Sequence, residues 1–218
     1  MTVKIWDLPT RIFHWVLVLL FVFLIYSGSW DDSLMKWHFY SGYLLSGLIL
    51  FRILWGVVGT CYARFGSFVV SPIKGLSYLK SVYQKKPEHF YGHNPAGGIM
   101  VVMLIMFLML QVASGLVTSD DVLWEGPFYA SVSDELASLG AEIHHTVQII
   151  LQCLVGFHVL GVIAHSVLFK EKLVASMITG TKPDLGNAKA RDKINSIALL
   201  LCFALSAGWV YYLFSLPI

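Results

Sequence analysis

The sequence predicts an all-α integral membrane protein, with four spanning helices in a bundle and a fifth span at the C-terminus. Three observations predict it. Of 218 residues 57% are hydrophobic and only 13% charged, whereas soluble domains carry about 25% charged residues. Five apolar runs, at about 11–29, 38–59, 96–118, 142–168 and 194–214, approach the roughly 20 residues a helix needs to cross a bilayer. Lysine and arginine are gathered on alternate connections, as in a chain threaded back and forth through a membrane. Nothing in the composition directs the chain to nucleic acid.

The basic residues set the orientation. Lys4 and Arg11 precede the first span; Arg64, Lys74, Lys80, Lys85 and Lys86 lie between the second and third; Lys170, Lys172, Lys182, Lys189, Arg191 and Lys193 lie between the fourth and fifth. Arg52 sits near the inner end of span two, and only Lys36 stands on the other side. The N-terminus is therefore expected in the cytoplasm and the C-terminus outside. The outer connections carry Asp31, Asp32, Asp120, Asp121, Glu125, Asp134, Glu135 and Glu142. Those acids serve either orientation and solvation or the steering of a basic redox partner. Cys61, Cys153 and Cys202 form no C-x-x-C or C-x-x-C-H, which argues against a disulfide framework, a zinc site or covalently attached haem. The first run is too long for a cleavable signal and has no A-x-A site after it.

Span one opens with Asp7 as a cap and Pro9 in the first turn, flanked by Trp6 and Trp15 for the interface. A start near Leu8 puts His14 about 9 Å along the axis. Asp32 or Ser33 can cap span two, which carries His38 in its first turns. Gly42 lies one turn on, where it spares room for a flat macrocycle or simply for helix packing. In the long connection that follows, Ser71 and Pro72 start a helix in which Ile73, Leu76, Leu79 and Tyr83 alternate with lysines. This reads as an amphipathic helix on an anionic leaflet. YGHNPAGG, residues 91–98, stands at the start of span three. The 119–142 connection mixes acids with Trp124, Phe128 and Tyr129 and reads as a loop lying partly on the membrane. Span five has neither charge nor histidine, so packing or partner contact is its expected role.

Span four carries His144, His145, His158 and His165, and ionisable side chains in hydrocarbon usually mark function. His144 and His158 are fourteen residues apart, so they share a face, separated by roughly 21 Å along the axis. Depth then suggests two pairs, His38 with His144 on the outer side and His14 with His158 on the inner side. Each pair can supply both axial ligands of a b-type haem, in the manner of cofactor sites built between facing helices. A lone histidine in a span can equally be a satisfied polar residue; two pairs matched in depth favour ligation. His145 is turned about 100° from His144, whereas His165 is only about 20° off the His158 stripe, so geometry leaves both His158 and His165 open as the inner ligand. Zinc is the rival chemistry, but no cysteine or carboxylate completes a compact set. His89 and His93 lie outside the stripe.

At IWDLPTRIFHW (5–15), FRILWGVVG (51–59), YGHNP (91–95) and FHVLGVIAHS with KEKLVASMITGTK the chain resembles bacterial diheme cytochrome b561. It is similar also to the b-type cytochrome subunit of membrane nickel–iron hydrogenases. The resemblance covers residues 1–182, leaving 183–218 as a short link and the fifth helix. It implies a location in the bacterial inner (cytoplasmic) membrane and two b haems, ligated by His14, His38, His144 and His158, and it sets His165 aside as a ligand. Hydrogenase-type members usually have an acidic residue directly after the outer span-four histidine, where this chain has His145. The related formate dehydrogenase cytochrome subunit is similar in placing quinone near an asparagine and glycines at the start of span three. That likeness points to Asn94, Gly97 and Gly98, with His93 as a proton carrier. Arg11 and Arg52, with Arg64 and Lys36, are candidate haem-propionate partners or lipid-facing cations.

The expected function is electron transfer through two haems between a periplasmic redox protein, such as a multihaem cytochrome c or a hydrogenase, and the quinone pool. That makes the chain an electron-transfer subunit rather than a stand-alone enzyme, and a homo-oligomer is compatible with it. The alternative is a self-contained superoxide:quinone oxidoreductase, which the acidic outer face opposes. A haem-free transporter or assembly factor has no use for the depth-matched histidines.

Overall fold

The computed structural model describes residues 2–29, 32–85, 88–120, 122–184, 186 and 192–216. Asp31, Lys86, Asp121, Lys189 and Arg191, counted above for orientation, lie outside them. The described residues form helices α1 (Leu8–Ser29), α2 (Met35–Val58), α3 (Pro72–Tyr83), α4 (Pro95–Gly115), α5 (Asp134–Leu168), α6 (Leu173–Thr179) and α7 (Ser196–Ser215). Five of these, α1, α2, α4, α5 and α7, are long and apolar enough to span a membrane. Their outward residues suit hydrocarbon rather than water: Leu19 is 71% exposed and Phe203 65%.

The chain divides into two compact units. The first holds residues 1–12, 53–104 and 153–199; the second holds 13–52, 105–152 and 200–218.

In the first unit the N-terminal residues are tied to the segment after span four. Strand β1 (Thr2–Lys4) pairs antiparallel with β2 (Thr181–Pro183), Val3 opposite Lys182, a small exception to the all-α expectation. The pairing continues into the turn at Gly180, whose carbonyl accepts from the Ile5 and Trp6 amides at 2.8 and 3.1 Å. Asp7 is buried at 1% exposure. One carboxylate oxygen caps α1 by accepting from the Thr10 amide at 2.8 Å. The other accepts from Trp55 Nε1 at 3.0 Å and Thr60 Oγ1 at 2.6 Å, fixing the end of α2 to the start of α1. Helix α3 turns Gly75 and Tyr78 inward and leaves Ile73, Leu76, Leu79 and Tyr83 exposed, as a helix lying on a lipid surface requires.

In the second unit α7 packs on α2. Gly47 meets the Ser206 carbonyl and Val210, Trp209 Nε1 donates to Ser46 Oγ at 2.9 Å, and Phe214 meets Tyr40 and Tyr43 at ring-centre distances of 5.0 and 5.4 Å. Span five thus has a packing role, through a small-residue contact of the kind that lets membrane helices approach.

Helix α5 begins well before the expected residue 142. Ser133 caps it, accepting from the Leu136 amide on Oγ at 3.3 Å and from the Ala137 amide on its carbonyl at 2.9 Å. Asp134 and Glu135 occupy the first turn, where the helix dipole favours acids. Gly140 does not break the helix. A Cβ there would sit 2.8 Å from Val117 and 3.4 Å from the Ser114 carbonyl, so the glycine permits close approach of α5 to the end of α4. That end comes at Gly115 rather than 118, because Asp120 closes a turn by accepting from the Val122, Leu123 and Trp124 amides at 2.8–2.9 Å. These bonds hold the Asp120 carboxyl below the usual carboxylate range against the opposing effect of burial.

Candidate functional site

The second unit brings the imidazoles of His38 on α2 and His144 on α5 together, with ring centres 6.2 Å apart and planes nearly perpendicular at 75°. Two imidazoles bonded to one metal at about 2 Å each have ring centres about 6 Å apart. The rings border a cavity of about 370 Å³. Gly42 lines it, and a Cβ added there would meet nothing within 4 Å. The residue singled out in the sequence for leaving room does so.

Each histidine is held in the same way by a helix it does not belong to. His38 Nδ1 lies 3.1 Å from the Leu24 carbonyl and 3.2 Å from Ser27 Oγ, both on α1. His144 Nδ1 lies 3.0 Å from the Gln111 carbonyl and 3.3 Å from Ser114 Oγ, both on α4. A carbonyl only accepts, so Nδ1 of each ring carries the proton and donates. In a neutral imidazole that leaves Nε2 with its lone pair, which is the form a metal binds, and the carbonyl fixes the ring plane. Each serine is followed by a glycine on which the ring rests: a Cβ on Gly28 would lie 2.6 Å from His38 Cε1, and one on Gly115 2.8 Å from His144 Cε1. These two Ser-Gly pairs, at the ends of α1 and α4, support the two rings, and residue spacing does not single them out, since Ser-Gly recurs at 41–42 and 46–47.

The donor set also discriminates between metals. No group of three or more His, Cys, Asp or Glu side chains able to hold an ion occurs among the described residues. A site with two imidazoles is incomplete for zinc but complete for haem iron, whose macrocycle supplies the other four nitrogens. The residues at the His38–His144 site therefore fit a b-type haem. Gly115→Val should push the His144 ring out of place and lower the haem-to-protein ratio of the purified protein. Gly208→Val on α7, where an added Cβ meets nothing within 4 Å, should leave that ratio unchanged.

The other candidates fall as follows. His145 is exposed yet lines the same cavity, although its position on the helix had pointed it elsewhere. His14 is half-buried in α1 and belongs to the second unit, where its ring meets Trp15 edge-on at 5.0 Å. His158 is half-buried in α5 and belongs to the first; its pairing with His14 rests on the sequence. Arg52 is 3% exposed, with its guanidinium carbon 6.0 Å from the Phe13 ring centre. Arg11 reaches over Gly180, and its Nε is buried with no hydrogen-bond partner among the described residues, which suits a missing anionic group. Arg64 pairs instead with Asp192 at 2.6 Å on the surface, and Lys36 lies over the rings of Tyr40 and Trp124. Asn94 caps α4, its side-chain oxygen accepting from the Gly97 amide at 2.7 Å. A Cβ on Gly98 would collide with the Phe68 carbonyl. The His93 ring lies between Trp6 and Phe68, at 4.9 and 4.5 Å.

A family model for prokaryotic cytochrome b561 matches residues 5–180. The chain belongs to that family. Among curated relatives, the probable Ni/Fe-hydrogenase B-type cytochrome subunit of Azotobacter vinelandii is 25% identical over 214 residues, covering 82% of this chain and 87% of the relative. The subunits of the same name from Bradyrhizobium diazoefficiens and Rhodobacter capsulatus are 22% and 23% identical, covering 83% and 82% of this chain and 86% and 80% of the relatives. No solved structure matches. As a cytochrome b561 family member with five apolar spans, the protein is a multi-pass membrane cytochrome that transfers electrons by b-type haem.

Proposed function

We propose that the protein carries electrons across a bacterial inner membrane between a periplasmic redox protein and the quinone pool, through two b haems. Its N-terminus is cytoplasmic, and residues 1–182 form the diheme part. The observation that carries the reading is the facing His38–His144 pair, each ring locked with Nδ1 protonated and Nε2 available. His38 and His144 hold the outer haem; His14 and His158 hold the inner one, on the strength of their depth and their place in the family motifs. Each haem supplies a one-electron iron couple with both axial positions filled, which favours outer-sphere transfer over oxygen chemistry. Arg11 and Arg52 are proposed to neutralise propionates. Gly42 keeps the outer cavity open for the macrocycle.

The relatives are named as hydrogenase subunits, which supports a hydrogenase as the periplasmic partner; a multihaem cytochrome c is the other candidate, and the acidic 119–142 connection suits a basic docking face. The proposed quinone site is the start of α4, beside Asn94, Gly97, Gly98 and His93. The test is spectroscopic. The purified protein should contain two haems per chain with low-spin bis-histidine spectra, and a quinone analogue should oxidise them after reduction. One haem per chain, or failure of His14→Ala and His158→Ala to lose the same haem, would sink the diheme assignment. Co-purification with a hydrogenase or with a multihaem cytochrome c distinguishes the partners.

A further inference from the structure

In the first unit, on the face that the charge pattern puts in the cytoplasm, one carboxylate bridges two imidazoles. Glu171 Oε1 is hydrogen-bonded to His89 Nδ1 at 3.2 Å, and Oε2 lies 3.7 Å from His165 Nδ1, an ion-pair distance that must shorten for a proton to pass. The two ends differ in access: the His89 side chain is 55% exposed, Glu171 20% and His165 12%. The row therefore runs from water inward, ending on α5 seven residues, or roughly 10 Å, from the proposed inner ligand His158. His165 is stacked on Tyr78 of α3 at 6.2 Å and 11°.

Helix α5 ends with Lys170 in the left-handed region at φ 57°, the Glu171 amide closing back on the His165 carbonyl at 3.4 Å. This C-terminal turn brings Glu171, just beyond α5, back beside His165. The charges around the row are Glu171, the two histidines, the Tyr78 hydroxyl from α3, and Lys182 of β2. Lys182 Nζ donates to the Phe90 carbonyl at 3.1 Å, in the segment that runs from His89 to His93 and Asn94. The His165 contact holds the Glu171 carboxyl below its usual range, with burial opposing it, so the group is an anion at neutral pH. Burial pushes the Lys182 amine down and the Tyr78 phenol up to about 12.

We infer that His89, Glu171 and His165 form a proton relay from cytoplasmic water to a quinone reduced beside the inner haem. The inference rests on the quinone reading above. Quinone takes two electrons, supplied by the cytochrome, and two protons to become quinol. Each proton is taken from water by His89 and passes to Glu171 Oε1; rotation of the protonated carboxyl carries the Oε1–H round to His165 Nδ1, and His165 gives up a proton from Nε2 to a quinone oxygen. His89 and His165 return to neutral after each transfer.

The test uses full-length, haem-loaded protein with Glu171→Gln, Glu171→Asp and His89→Asn. Reduced protein is mixed with a water-soluble quinone analogue or with ferricyanide, a one-electron oxidant that takes no proton. Glu171→Gln should slow oxidation by quinone about tenfold, increasingly at high pH, and leave the ferricyanide rate and haem spectrum unchanged; Glu171→Asp should restore most of the rate. Redox-difference infrared spectra should contain a carboxylate band that Glu171→Gln removes. Equal quinone rates in Glu171→Gln, His89→Asn and wild type would overturn the relay and leave the quinone reading standing. No oxidation of the wild type by quinone, with normal oxidation by ferricyanide, would overturn both.

Discussion

His144→Ala should remove one b haem from the purified protein, taking about half of the reduced-minus-oxidised α-band with it if the second site is intact. His38→Ala should do the same. The double variant should lose no more than either single one, because two ligands of one iron act as a unit and their effects do not add. His145→Ala should keep both haems, since its ring lines the cavity without a place in the facing pair. Ser114→Ala should be milder than His144→Ala. It removes one of two acceptors within reach of Nδ1 and leaves the Gln111 carbonyl, so haem is retained while affinity falls about tenfold, the scale of outer-shell partners. Pyridine haemochrome assays against protein concentration check all five variants.

Asp7→Ala should be the most destabilising single change outside the haem sites. It removes the cap of α1, worth about 1 kcal/mol. It also strands two buried donors, Trp55 Nε1 and Thr60 Oγ1, at about 1–3 kcal/mol each. The expected total is about 4 kcal/mol, visible as early unfolding of the detergent-solubilised protein on heating, followed by circular dichroism. Asp7→Asn should lie between. Its amide oxygen can still cap, but its NH₂ would face the Trp55 indole N–H, donor against donor. A loss equal to capping alone would show that the links to α2 carry little.

Why was so much of the His38–His144 site legible in the sequence, and so little of its support? The pair follows from quantities fixed by local geometry: the length of a span, the rise per residue and the direction of threading. Those suffice to match two residues in depth across unrelated stretches. What holds the rings depends on which helix lies beside which, and residue spacing alone does not supply that. Ser27-Gly28 and Ser114-Gly115 read as ordinary small residues at span ends until each is seen beneath an imidazole. Asp7 was legible as a cap, because Thr10 is three residues away; its bonds to Trp55 and Thr60 join positions about fifty residues apart. Strands of three residues carry too short an alternation to be read, so β1 and β2 went unseen. The start of α5 was misplaced for another reason. Gly140 was read as loop, though Ser133 with Asp134 and Glu135 is a helix start, and the glycine answers the crowding at the end of α4.

The β1–β2 pairing bears on how the molecule is made. Strand β1 leaves the ribosome before its partner, Thr181–Pro183, which is synthesised only after four spans. Until then the amides of Ile5 and Trp6 have no Gly180 carbonyl to bond, and Arg11 has no turn to lie over. The β1 residues wait through the synthesis of those spans, so the first unit closes late.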